Sequence, residues 1–178
     1  MNETVVINAY IVISIIIAAT DILLAVKSFK KNKTTGRFLG FACVGAAIVD
    51  ISYLISIISD SYMCMAAMSS IYFISIDFML VSLLIFTVYF TKGKFSEYGK
   101  WMVTFCFLYC IYELIVFAVN PFMEIAIEYK PRDTLIAKYS YHMKPLYELH
   151  LIFSYVMVLL VVGLLIRKIC KIPHEYRW

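Results

Sequence analysis

Four ionisable side chains stand where water is scarce. Asp50, Asp77, Glu113 and His150 each lie inside, or at the edge of, a long apolar run. The two aspartates share one stretch, Ala46 to Phe90, which reads as two apolar runs with a tight polar break at Ser59-Asp60-Ser61. No lysine or arginine occurs between Arg37 and Lys92, so neither aspartate has a basic partner on its own hairpin. An ionisable residue within a membrane span is costly and normally faces the protein interior or a wet cavity. Two chemistries suit such residues. They line a chamber that takes a ligand or cation, or, as protonated acids, they donate the hydrogen bonds that hold helices together.

The elements that must position them follow from composition. The 178 residues are 63% hydrophobic and 16% charged, against about 25% charged in soluble domains. A bilayer core is crossed by about 20 apolar residues in a helix. Five runs of that size are present: Val5–Val26, Phe38–Ile58, Met68–Phe90, Trp101–Val119 and Leu149–Cys170. They lack the alternation of an outer-membrane strand, and open strands cannot face lipid. The fold class is therefore all-α, a polytopic transmembrane bundle of five spans. The N-terminal run carries Glu3, has no basic segment before it and is too long for a signal-peptide core, so it stays as the first span. The five cysteines show no disulfide spacing. Four of them lie in or beside spans, where packing is their expected role.

Orientation follows from the loops. Lys27, Lys30, Lys31, Lys33 and Arg37 crowd the first connection without an acid, which places it in the cytoplasm. The second connection has Asp60 and no basic residue, and the third has Lys92, Lys94 and Lys100 against Glu97. The N-terminus is thus outside and the C-terminus inside. The fourth connection, 120–148, has balanced charge and is too long for a plain hairpin. Within it PFMEIAIEY is expected to form an amphipathic turn of helix at the interface, with Phe122, Ile125 and Ala126 toward lipid or core. LIAKYSYHMKPLYELH is expected to form an extended lid, and Tyr139, Tyr141 and Tyr147 to anchor the membrane boundary.

With ~1.5 Å of rise per residue, Asp50 and Asp77 fall near or just outside the midplane. Glu113 lies nearer the outer surface, with Asn120 two turns on along the same face. Tyr147, His150 and Ser154 share a face at the outer end of the fifth span, while Asp21 lies toward the cytoplasmic end of the first. Tyr53, one turn from Asp50, and Ser70, two turns from Asp77, extend the same stripes. The candidate ligand-binding set is Asp50, Tyr53, Asp77, Glu113, Asn120, His150 and Ser154. A metal centre from His150, Glu148 and one outer acid lacks a characteristic ligand spacing, and no metal or cofactor is expected. A relay through Asp50 and Asp77 would suit a proton- or cation-coupled transporter, but transporters carry repeats or broken helices, and none of the five spans contains proline. No nucleophile elbow, zincin motif or P-loop is present, and nothing points to nucleic acid.

The stretches ISYLISIISDSY, SSIYFISIDFMLVSLLIFTVYFTKG, Ala118-Val119-Asn120-Pro121 and KPLYELHLIFSYVMVLLVVGLL resemble the N-terminal seven-helix membrane region of bacterial histidine kinases and diguanylate cyclases. Phe90-Thr91, Leu149-His150 and Phe153-Ser154-Tyr155 fit that pattern, and Pro173, Tyr176 and Arg177 match its linker before a sixth helix. The resemblance implies two further helices and a cytoplasmic output domain beyond Trp178, with this chain forming most of the seven-helix region. It implies a non-catalytic sensory input domain in a bacterial cytoplasmic membrane, which detects an extracytoplasmic or membrane-borne cue and relays it inward. The partners it implies are the lipid bilayer, a small-molecule or lipid ligand, an output domain in cis and a second copy of the chain. A coupled transporter, or a scaffold without ligand, are the alternatives.

Overall fold

A computed structural model describes residues 3–31, 33–132 and 138–170. The Pro173–Arg177 linker motif and Asp133 of the fourth connection lie outside the described residues. Five helices carry the chain: α1 (Glu3–Lys30), α2 (Thr34–Ile58), α3 (Tyr62–Lys92), α4 (Glu97–Met123) and α5 (Pro145–Cys170). Two short strands, β1 (Ile127–Pro131) and β2 (Tyr139–Met143), stand between α4 and α5. All five helices are long and apolar enough to cross a membrane. A helix meets every backbone hydrogen bond within its own segment, so the apolar runs adopt it.

Local chemistry sets the ends. Ser61 caps α3 by accepting from the Cys64 amide, and Gly93 closes it in the left-handed region at φ 75°, where glycine carries no Cβ penalty. Ser96 caps α4 through the Gly99 amide, and Pro145 opens α5, where its missing N–H is not needed. Lys27, Lys30, Lys92, Arg167 and Lys168 gather in the last turns of α1, α3 and α5. They mark a basic end of the bundle, opposite the end that carries the strands.

Every helix reaches beyond its expected span at one end or both, by up to six residues, and two differences reshape the fourth connection. Helix α4 runs past Val119 and takes in Pro121. A proline there cannot donate to the Phe117 carbonyl, but so near the C-terminus the helix loses little. The expected amphipathic turn over PFMEIAIEY is not formed. Pro121–Met123 complete α4, Glu124 turns the chain at φ 48°, and Ile127 onward is a strand. Ile127 and Tyr129 point inward while Glu128 is only half-buried, a period of two that a helix does not satisfy. Strands β1 and β2 pair antiparallel with Ile127 opposite Met143 and Tyr129 opposite Tyr141. An ion pair between Lys138 and Asp60 ties this β-hairpin to the α2–α3 turn.

Helix α3 is the hub, packed on α2, α4 and α5, while α1 lies against α2. The α2–α3 approach is close. A Cβ on Gly45 would lie 2.9 Å from the Met79 Cβ and 3.1 Å from its Cα. Small residues let membrane helices approach in this way. Gly45→Leu is expected to cost about 1–3 kcal/mol through overpacking and to lower the unfolding temperature in detergent. On α5, a Cβ at Gly163 meets nothing within 4 Å, so Gly163→Ala should leave that temperature unchanged or raise it. Equal behaviour of the two variants would refute the close-contact reading.

Candidate functional site

Three helices each bring one polar side chain to a single buried point. Asp77 comes from α3, Glu113 from α4 and His150 from α5, and they are 1%, 1% and 2% exposed. His150 Nδ1 lies 3.1 Å from Glu113 Oε2 and 3.5 Å from Asp77 Oδ2. The first distance is a hydrogen bond, and the second is long for one. Both oxygens of Asp77 and Oε1 of Glu113 accept no hydrogen bond from a described residue. The imidazole is boxed by rings: Phe73 and Phe117 meet it edge-on at 5.4 and 5.2 Å between centroids, and Tyr147 tilts over it at 5.9 Å. The apolar wall keeps water off and leaves the polar atoms one another and the Tyr109 hydroxyl of α4.

Above this cluster, toward the hairpin end, lies a cavity of ≈ 220 Å³. Tyr53 and Ser56 of α2 and Ser69, Tyr72 and Phe73 of α3 form its sides, Tyr147 of α5 adds to them, and Ile127, Tyr141 and Met143 of the hairpin close it. Ser69 Oγ and Tyr141 OH share a hydrogen bond of 3.2 Å across it, and Tyr53 packs on Tyr72 at 5.3 Å. Its walls are apolar rings and side chains interspersed with the hydroxyls of four tyrosines and two serines, and apolar surface with a few placed polar groups is what small-molecule sites use. Phe73 and Tyr147 serve both places, since each lines the cavity and touches the His150 ring. Cavity and cluster are thus one side chain apart.

The hairpin depends on Asn120. Its Oδ1 accepts from the amides of Ala126 (2.8 Å) and Ile127 (3.0 Å), and its Nδ2 donates to the Ile127 carbonyl (3.2 Å) and the Tyr129 hydroxyl (3.3 Å). Burial pushes the Tyr129 phenol above its ordinary range, so it remains a neutral partner. Tyr62 donates to Glu124 Oε1 at 2.5 Å, and Lys144 Nζ to the Glu124 carbonyl at 2.6 Å. These bonds fasten both feet of the hairpin.

The seven residues singled out in the sequence separate into groups. Asp77, Glu113 and His150 meet. Tyr53 lines the cavity, and Asn120 holds the hairpin that covers it. Ser154 lies one turn along α5 from His150, and its buried Oγ finds no partner among the described residues. Asp50 stands apart. It interacts with Asp21 of α1, because the face of α2 that bears it turns toward α1. Glu148 is exposed and does not join His150. The sequence reading did not single out Ser69 and Tyr72 as cavity residues. Their signal is the spacing of Ser69, Tyr72 and Phe73, which share one face of α3.

A family model described as the N-terminal 7TM region of histidine kinase matches residues 9–178, nearly the whole chain. No curated protein and no solved structure matches it.

Proposed function

We propose a function from a plain premise: the chain belongs to the family of N-terminal 7TM regions of histidine kinases. It is a membrane sensory input region. In our reading the hairpin end faces outward and the basic end faces the cytoplasm, in keeping with the positive-inside rule. The membrane is the bacterial cytoplasmic membrane, and an output domain in cis receives the signal. The cue enters the cavity beneath the hairpin. One observation carries this: Phe73 and Tyr147 belong both to the cavity wall and to the ring box around His150. An occupant that moves either ring shifts the point where α3, α4 and α5 are joined.

The cue, on this reading, is a small and largely apolar molecule, soluble or lipid-borne, with one or two hydrogen-bonding groups for Ser56, Ser69 or Tyr141. Tyr53 touches it directly. Asp77, Glu113 and His150 sense it through the two rings, Asn120 holds the roof, and Asp50 and Ser154 lie outside the walls. A ligand shifts a conformational equilibrium only by its difference in affinity for the two states. The relay therefore needs a cavity of different shape in the signalling state, with α5 carrying the change toward the basic end.

Ser69→Phe tests this by filling the cavity from α3. With indole, p-cresol and 1-octanol as probes on the purified chain in detergent, at least one should raise the unfolding temperature saturably. Ser69→Phe should abolish that rise. If no probe stabilises the parent chain, or if the variant responds equally, the cavity is not the cue site.

A further inference from the structure

We propose that Asp77, Glu113 and His150 hold one divalent cation of the zinc class, pinning α3, α4 and α5 together. The proposal is independent of the cue cavity. One ligand atom from each of the three residues can be chosen so that all lie within 4.8 Å of one another. Ligands bound tetrahedrally at about 2.0–2.1 Å lie about 3.4 Å apart along each edge. The contacts from His150 Nδ1, at 3.1 and 3.5 Å, bracket that edge.

Charge and hydrogen bonding point the same way. Two carboxylates, a neutral imidazole and a dication sum to zero, which a low-dielectric interior favours. A single imidazole N–H can satisfy one carboxylate oxygen, and in its present geometry it serves Glu113 Oε2. Three further carboxylate oxygens, both from Asp77 and Oε1 from Glu113, stay buried without a donor among the described residues. Each such group is costly to leave unmade. A cation between the residues removes that cost for the oxygens it binds.

The donor set chooses the ion. Calcium takes six to eight oxygens and magnesium keeps several waters, whereas one nitrogen and two carboxylates in a closed site suit zinc. The Tyr109 hydroxyl is a further polar group beside the two carboxylates. It is buried, stands one helical turn from Glu113 on α4, and interacts with both Glu113 and Asp77. Tyr109 also stacks on Phe153 of α5 at 4.0 Å, which holds its ring between the two helices.

The test uses the whole chain, purified in metal-free detergent and given Zn²⁺ alone or Co²⁺ alone. The expected result is one equivalent retained through desalting, a rise in unfolding temperature that a chelator reverses, and visible Co²⁺ bands of tetrahedral nitrogen–oxygen ligation. Glu113→Gln and Asp77→Asn should lose retention and the thermal rise, while His142→Ala with His174→Ala should keep both. If the parent chain retains no zinc, and neither zinc nor chelator moves its unfolding temperature, the proposal is overturned. It is equally overturned if the carboxamide variants bind like the parent and the double histidine variant does not. Should a carboxamide variant fail to fold, metal content and the Co²⁺ spectrum of the parent chain decide alone.

Discussion

Replacing His150 by leucine is expected to destabilise the chain by about 3–5 kcal/mol, the usual result of removing one member of a buried charged network. The variant takes away the imidazole that hydrogen-bonds Glu113 Oε2, beside the buried carboxylate of Asp77. It also removes the ring that Phe73, Phe117 and Tyr147 enclose. An ordinary interhelical hydrogen bond in a membrane protein contributes only about 0.6 kcal/mol, so the two origins are separable by size. Unfolding in a detergent titration measures the loss. A companion variant with Asp77→Leu, Glu113→Met and His150→Leu together should recover most of it, because apolar groups of similar volume often replace a buried ionic cluster without net cost. A single-variant loss below about 1 kcal/mol would mean that the cluster is ordinary interhelical bonding.

That cluster shows what a sequence can and cannot give. Asp77, Glu113 and His150 are conspicuous because each interrupts an apolar run, and the rise per residue places them at similar depth. Depth is a coordinate along the helix, however, and it says nothing of rotation about the axis. Asp50 has a similar depth and a different fate. Its side of α2 faces α1 and Asp21, whereas Gly45 of the same helix lies against Met79 of α3. Only helix packing settles which side meets which neighbour. The five spans were legible for the opposite reason, since hydropathy and length constrain a membrane helix without reference to its neighbours.

The hairpin was missed where two signals compete. PFMEIAIEY has apolar residues at helical spacing around Phe122, Ile125 and Ala126, and it follows directly from a helix. Within it Ile127, Glu128 and Tyr129 alternate, and Asn120 stands ahead of them. A side chain that bonds two amides beyond a helix end is what converts the exit into a strand, and that bond is invisible until the chain is folded. Tyr141 suits a membrane-boundary anchor by type, yet through the hairpin register opposite Tyr129 it bonds to Ser69 over the cavity.

Asn120→Ala should therefore release the hairpin while leaving the helices in place. The substitution orphans the amides of Ala126 and Ile127 and the Ile127 carbonyl, in residues 0% and 1% exposed. Each buried group left unmade costs about 1–3 kcal/mol. An isolated two-stranded hairpin is at best marginally stable, so opening to water is the cheaper course. Hydrogen exchange over residues 124–144 should show protection lost at Ala126, Ile127 and Lys144, whose amide bonds to the Ala126 carbonyl at 2.9 Å. Exchange within α3 should be unchanged. Asn120→Asp keeps the two acceptor contacts and loses the donor to Ile127 and Tyr129, so its protection should fall between parent and alanine variant. Probe-induced stabilisation should vanish in Asn120→Ala as well, because the roof of the cavity leaves with the hairpin. Full protection of Ala126 and Ile127 in the alanine variant would mean that Tyr62, Lys144 and the Lys138–Asp60 pair hold the hairpin without Asn120.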